Sequence, residues 1–238
     1  MTRKGADQYD MTLAESFKAC SLVAVIASAA DMQRAIRLRK HPEFFELRLD
    51  ATQPQLSQMA KLTAQLARPL IITARDPKEG GSQKISLGER SKLLRGYLPW
   101  ASLIDIELGS VSALRSVLQA ARERNVKCIL SVHSLVETAP PEKLRGFVEE
   151  AQELSPDVFK IVNRTDTPAQ LTQLLEFLQE NKNVLPVSAM GVGKLGRLSR
   201  VRLMQAGSVL NYAHLGESSL EGQLSLAAAR RWRNKSIS

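Results

Sequence analysis

With 238 residues, 44% of them hydrophobic, the chain is long enough for one large core or a single α/β barrel. It has no run of 18 apolar residues to cross a bilayer, and its start, MTRKGADQYDMTLAESFK, lacks the apolar centre of a secretory signal. The formal charge of +9 admits a polyanion binder. However, the basic residues are spread along the chain without a helix-turn-helix, zinc-finger or aromatic-plus-basic platform, so neither nucleic acid nor membrane is expected as a partner. Two cysteines, Cys20 and Cys128, have no companions at metal-ligand spacing and point to a reduced, cytoplasmic protein.

After a polar segment, residues 1–18, apolar runs of strand length recur at fairly even spacing. They are Leu22–Ala27, Phe44–Leu49, Leu70–Ala74, Leu103–Leu108, Cys128–Val132, Val158–Val162, Val184–Val187 and Val209–Tyr212. Amphipathic stretches lie between them, with apolar residues at helical steps in Gln55–Ala67, Ala113–Arg124 and Ala169–Leu178. Asp166 or Thr167 can cap the last of these, with Pro168 as its first residue, and Pro140-Pro141 precedes another at Glu142. Eight strand–helix repeats without a linker predict an α/β fold, a single closed (β/α)₈ TIM barrel over residues 19–238. A doubly wound open sheet would call for a glycine-rich loop after the first strand, and Ala27-Ser28-Ala29-Ala30 is not one.

Alternation along the strands divides polar from apolar. Phe45, Leu47 and Leu49 oppose Glu46, Arg48 and Asp50, and Ile104, Ile106 and Leu108 oppose Leu103, Asp105 and Glu107. Arg75 and His133 end the polar faces of the third and fifth strands. Helices outside a barrel cover the apolar faces, so the charged faces converge inside near the mouth, where charges of both signs need one another. The stretch that organises the rest is Asp157–Asn163, DVFKIVN, with Lys160 inside a run of β-formers. Such a lysine is commonly ion-paired or on an edge strand. Forced into an apolar pocket instead, it would favour the neutral amine that Schiff-base chemistry requires. His133 beside it is then a candidate proton shuttle.

Read together, Glu46-Leu-Arg48-Leu-Asp50, Thr73-Ala-Arg75 with Glu79-Gly80-Gly81, Asp105-Ile-Glu107, Ser131-Val-His133, Phe159-Lys160, Gly193-x-x-Gly196-x-x-Ser199-Arg200 and Gly222-Gln223 resemble the type I 3-dehydroquinate dehydratases of the shikimate pathway, from about Leu22 to Gln223. The resemblance implies a homodimeric barrel enzyme, a hydro-lyase acting on 3-dehydroquinate with no metal or cofactor. It makes Lys160 the Schiff-base residue, His133 the proton carrier and Glu79 the group that orients His133. It assigns the substrate carboxylate to Arg200, the ring hydroxyls and imine placement to Glu46, Arg48 and Arg75, a pocket wall to Tyr212, and a lid to Ser219 and Gln223. Two departures stand out. The lid reads Ser219-Leu-Glu-Gly-Gln223 where many members have Ala-Pro in the middle, and Met190 lies ten residues before Arg200 rather than eight, which offers Val192 for its place. The alternatives are another Schiff-base lyase or aldolase on the same barrel, or a binding protein that keeps the pocket without turnover.

Overall fold

The computed structural model describes residues 20–52, 56–66, 68–82, 85–218 and 220–236. The chain begins β1 (Ser21–Ile26), α1 (Ala29–Ile36), β2 (Phe44–Arg48), α2 (Leu49–Thr52), α3 (Leu56–Thr63), β3 (Leu70–Thr73), α4 (Leu87–Tyr97) and β4 (Leu103–Glu107). It continues α5 (Arg115–Arg122), β5 (Lys127–Ser134), α6 (Pro141–Leu154), β6 (Val158–Arg164), α7 (Pro168–Asn181) and β7 (Val187–Val192). Then follow α8 (Gly196–Ala206), β8 (Leu210–His214), a two-residue β9 (Leu224–Ser225) and α9 (Leu226–Ser236).

The strand ladders are parallel and run in the order β7-β6-β5-β4-β3-β2-β1-β8-β9. Because β1 pairs with both β2 and β8, the sheet curls back on itself. The seam between β7 and β8 is bridged by Val209 N–H donating to Val187 O (3.0 Å) and Ser188 Oγ donating to Leu210 O (2.6 Å). The result is the expected (β/α)₈ barrel.

Period-two alternation sorts the side chains as the sequence predicts. Ala24, Ile26, Leu47, Ile72, Ile104, Leu130 and Ile161 are buried outward, in the cluster shared with the helices. Val23, Phe44, Ile71, Leu103, Ile129, Val158 and Leu210 fill the barrel interior as a second cluster. They occupy the early positions of their strands, so they form a dry floor beneath the charged residues that come later. Each such side chain stabilises the fold by roughly 1.5–3 kcal/mol on burial.

Thr167 caps α7, its hydroxyl accepting from Gln170 N–H while the Gln170 side chain accepts from the cap's own N–H, and Pro168 is the first helical residue as expected. The seventh strand corrects the sequence reading: it runs Val187–Val192, not Val184–Val187. Val184 is 55% exposed and donates its N–H to Asn181 O, continuing the end of α7 rather than starting a strand. Ser188 and Gly191 broke the apolar run in the sequence, but both are buried on β7. The fifth and sixth strands run on to Ser134 and Arg164, and His133 lies late in its strand as expected. The polar leader, residues 1–18, lies outside the described residues.

Candidate active site

Lys160 sits mid-β6, buried and pointing into the barrel. Its Nζ donates to Asp105 Oδ2 at 2.8 Å, lies 3.7 Å from Glu46 Oε1 and sits 3.9 Å from the centroid of the Tyr212 ring. This corrects the expectation of apolar neighbours around the amine. The nitrogen is buried, but two carboxylates and an aromatic face form its surroundings. The reason is lateral. β4 and β2 deliver carboxylates at the same height as Lys160, which the residues flanking it in its own strand did not reveal.

Asp105 belongs to a larger ion cluster. Arg75, 2% exposed, donates from Nη2 to Asp105 Oδ2 (2.8 Å) and from Nη1 to Glu107 Oε1 (2.9 Å) and Ser131 Oγ (2.7 Å). Ser131 in turn donates to Asp105 Oδ1 at 2.6 Å. Arg75 and Lys160 together hold the Asp105 carboxyl far below the usual carboxylate range against the opposing effect of burial. Thr73 fixes Glu46 by donating to its Oε1 (2.8 Å). Arg48 forms a two-point pair with Asp50, Nε to Oδ1 at 2.9 Å and Nη2 to Oδ2 at 2.7 Å.

His133 ends β5, and a single carboxylate oxygen, Glu79 Oε2, meets both its Nδ1 (2.9 Å) and its backbone N–H (3.0 Å). Glu79 reaches it from a tight 3₁₀ turn, Pro77–Glu79, capped by Asp76 and followed by Gly80 at φ +88°. Gly81 is required there, since a Cβ would lie 2.5 Å from Arg75 O. Burial, with Arg75 and Lys160 nearby, pushes the His133 pKa well below its ordinary value. Burial also raises the Glu79 carboxyl to about 7. The imidazole is therefore neutral at physiological pH. With Nδ1–H directed to an ionised Glu79, Nε2 is left as the basic nitrogen.

Arg200, on α8, is 4% exposed and points to the ends of β7 and β8, Nε donating to Gly191 O (3.1 Å) and Nη1 to Tyr212 O (3.2 Å). No carboxylate among the described residues pairs with it, and burial lowers its pKa to about 10. The guanidinium is thus buried with carbonyl acceptors and no counter-ion among the described residues. The Tyr212 hydroxyl is likewise buried without a hydrogen-bond partner among the described residues.

These groups share one cavity of about 260 Å³, lined by Glu46, Arg48, Arg75, Glu79, His133, Lys160, Arg200, Tyr212 and Gln223. Nine of the ten predicted site residues thus come together, and Ser219 lies outside the described residues. Arg75 is reached by the cavity, although its donors are largely engaged by the ion cluster. Met190 lines the cavity and Val192 does not, so the expected exchange of Met190 for Val192 is corrected. The register of β7 against β6 sets Met190 opposite Val162, on the inward face, regardless of its distance from Arg200 in the chain. Sequence reasoning placed Asp105 on the charged face that converges inside the barrel, which the structure bears out, but gave neither it nor Leu220 a place against the substrate.

The lid residues Leu220 and Gln223 close over the same cavity. Glu221 O accepts from Gly193 N–H (3.3 Å), and a Cβ on Gly222 (φ +83°) would lie 2.6 Å from Gly196 Cα, so the lid rests directly on the start of α8. The Glu221 carboxylate turns to Arg164 (3.5 Å) instead of into the pocket.

Comparison with known proteins agrees with this architecture. The sequence model of type I 3-dehydroquinase matches residues 19–235. The chain is 31% identical over 215 residues to a 3-dehydroquinate dehydratase of Thermococcus onnurineus, covering 88% of this chain and 96% of that one. It is 30% identical over 213 residues to the 3-dehydroquinate dehydratase of Dehalococcoides mccartyi, covering 87% and 90%. Its fold resembles the crystal structure of 3-dehydroquinate dehydratase from Geobacillus kaustophilus, with a TM-score of 0.81 at 22% identity over 90% of each chain. Since the match spans nearly every strand and helix described above, the chain belongs to the type I 3-dehydroquinase family.

Proposed function

We propose that the protein is a hydro-lyase that converts 3-dehydroquinate to 3-dehydroshikimate, a step of the shikimate pathway, through a Schiff base on Lys160. The observation that carries the reading is one cavity shared by a buried lysine, a neutral imidazole and a guanidinium without a counter-ion. A cyclic keto acid with a carboxylate supplies a partner for each.

In this reading the substrate carboxylate neutralises Arg200, which points the ring ketone at Lys160. Lys160 passes a proton to Glu46, 3.7 Å away, which returns it to the departing carbinolamine hydroxyl, because Asp105, held far down by Arg75, is a poor acceptor. The freed amine adds to the ketone carbon, and the carbinolamine loses water to give an iminium. The iminium acidifies the neighbouring C–H, whose proton His133 takes at Nε2, leaving an enamine. The enamine expels the β-hydroxyl as water, protonated by the same imidazolium, and hydrolysis of the conjugated iminium releases the enone and restores Lys160. One water is lost overall. Glu79 steadies the imidazolium while it carries the proton. Glu46, Arg48, Arg75, Tyr212 and Gln223 contact the ring or close over it, and the resemblance to the family gives Ser219 a part in the same lid.

Borohydride added with 3-dehydroquinate should fix a covalent adduct on Lys160, located by peptide mass spectrometry, and Lys160→Ala should abolish both adduct and enone absorbance. If the wild-type protein yields neither adduct nor enone, the reading fails, and turnover of an open-chain sugar instead would favour an aldolase. The same reading takes the protein as a cytoplasmic homodimer, the assembly state being measurable by sedimentation.

A further inference from the structure

One deeply buried cation has no part in the reaction as written: Arg90, early in α4, outside the barrel yet 2% exposed. Its Nε donates to Ala74 O (2.8 Å), its Nη1 to Asp76 Oδ2 (2.7 Å) and more weakly to Ser110 Oγ (3.3 Å), and its Nη2 to Glu107 Oε2. From that fork two branches enter the site. Glu107 holds Arg75, Arg75 holds Asp105, and Asp105 holds Lys160. On the other branch, Asp76 O accepts the N–H groups of Glu79 and Gly81 (both 2.9 Å), building the turn that places Glu79 against His133. Asp76 N–H donates to Glu107 Oε1 (2.9 Å), so the branches share a root.

We propose that Arg90 is a positioning residue for the reaction: by clamping Glu107 to Asp76 it sets the charge balance at Lys160 and the seat of Glu79 behind His133. The inference rests on the Schiff-base reading. The cluster holds three cations, Lys160, Arg75 and Arg90, against four carboxylates, the buried Glu46, Asp105 and Glu107 and the partly exposed Asp76. Lys160 faces Glu46 and Arg48 of β2, Arg75 after β3, Asp105 of β4, His133 of β5 and Tyr212 of β8, while the inward residues of β1 and β7 do not titrate. Without Arg90, Glu107 and Asp76 lose the cation they share, Glu107 has Arg75 alone, and the cluster gains one net negative charge. That excess favours the ammonium form of Lys160 over the attacking amine.

The test follows borohydride trapping and steady-state turnover from about pH 5 to pH 9 in wild type, Arg90→Lys, Arg90→Met and Arg90→Met/Glu107→Gln. In Arg90→Met the midpoint of trapping should move up by about 0.5–1 pH unit, with kcat down about tenfold and KM within about threefold. Glu107→Gln in that background restores the charge balance and should return the midpoint toward wild type. A wild-type midpoint and kcat in folded Arg90→Met, whatever its Tm, overturns the proposal. If Arg90→Met does not fold, the other two variants decide: both keep the charge balance but lose the fork, so kcat falls in each, and wild-type kcat in Arg90→Lys overturns it. Absence of any adduct in wild type would instead refute the Schiff-base reading itself.

Discussion

At the scale of single residues, what decides this site is which buried charges have partners. Lys160 has Asp105 and Glu46, Arg75 has Asp105 and Glu107, and Arg48 has Asp50. Arg200 has carbonyl oxygens only. A guanidinium in that state gains a full charge-assisted pair from an incoming carboxylate, and hydrogen bonds to charged groups are worth about 1.5–3 kcal/mol. Arg200→Met should therefore raise KM for the keto acid about 10–100-fold with a smaller change in kcat. Steady-state kinetics checks this, and an unchanged KM would remove Arg200 from substrate binding. Arg200→Lys should recover only part, since an ammonium cannot reproduce the planar fork.

At the scale of elements, the start of α7 contributes stability rather than chemistry. The Thr167–Gln170 box satisfies donors at the start of α7 without touching the cavity. Thr167→Ala should lower unfolding free energy by about 1 kcal/mol, read as a drop of roughly 2–4 °C in Tm, with turnover unchanged. A comparable loss of activity would mean that α7 transmits to the site through β6 and β7. A cap at Asp166 or Thr167, Pro168 and the 3.6-residue period were legible in the sequence because they act over a few residues of chain, and the structure chooses Thr167. β7 was not legible, because Ser188 and Gly191 weaken its apolar signal. Their burial depends on the neighbouring strands, where Ser188 bonds Leu210 O and Gly191 packs against Ser199.

At the scale of the whole molecule, the inner ion cluster ties folding to pH. The carboxyls of Asp105 and Asp50 titrate below their ordinary value of 3.8 in the folded state, so their stabilisation is complete above that value and is lost progressively as pH falls below it toward the folded-state pKa. His133, lowered from 6.5, likewise contributes stability that begins to be lost as pH falls below 6.5. Glu79, raised from 4.5 to about 7, acts in the opposite sense, its contribution being complete below 4.5 and lost as pH rises toward 7. Between 4.5 and 6.5 the two effects oppose, so thermal unfolding should show little change there and then a steep fall in Tm below about pH 4. Calorimetry across that range checks it, and a Tm unchanged down to pH 3 would show that the cluster adds no pH-linked stability. By itself the sequence determined the number of strand–helix units, the barrel and the side of each strand on which charge falls, because alternation and helical period are local properties of the chain. Only the tertiary structure decided that Lys160 lies against Asp105, that Met190 faces the cavity and that Arg90 reaches inward from α4. Each of these depends on the height at which separate strands and helices meet, which is fixed by register and closure rather than by neighbours in sequence.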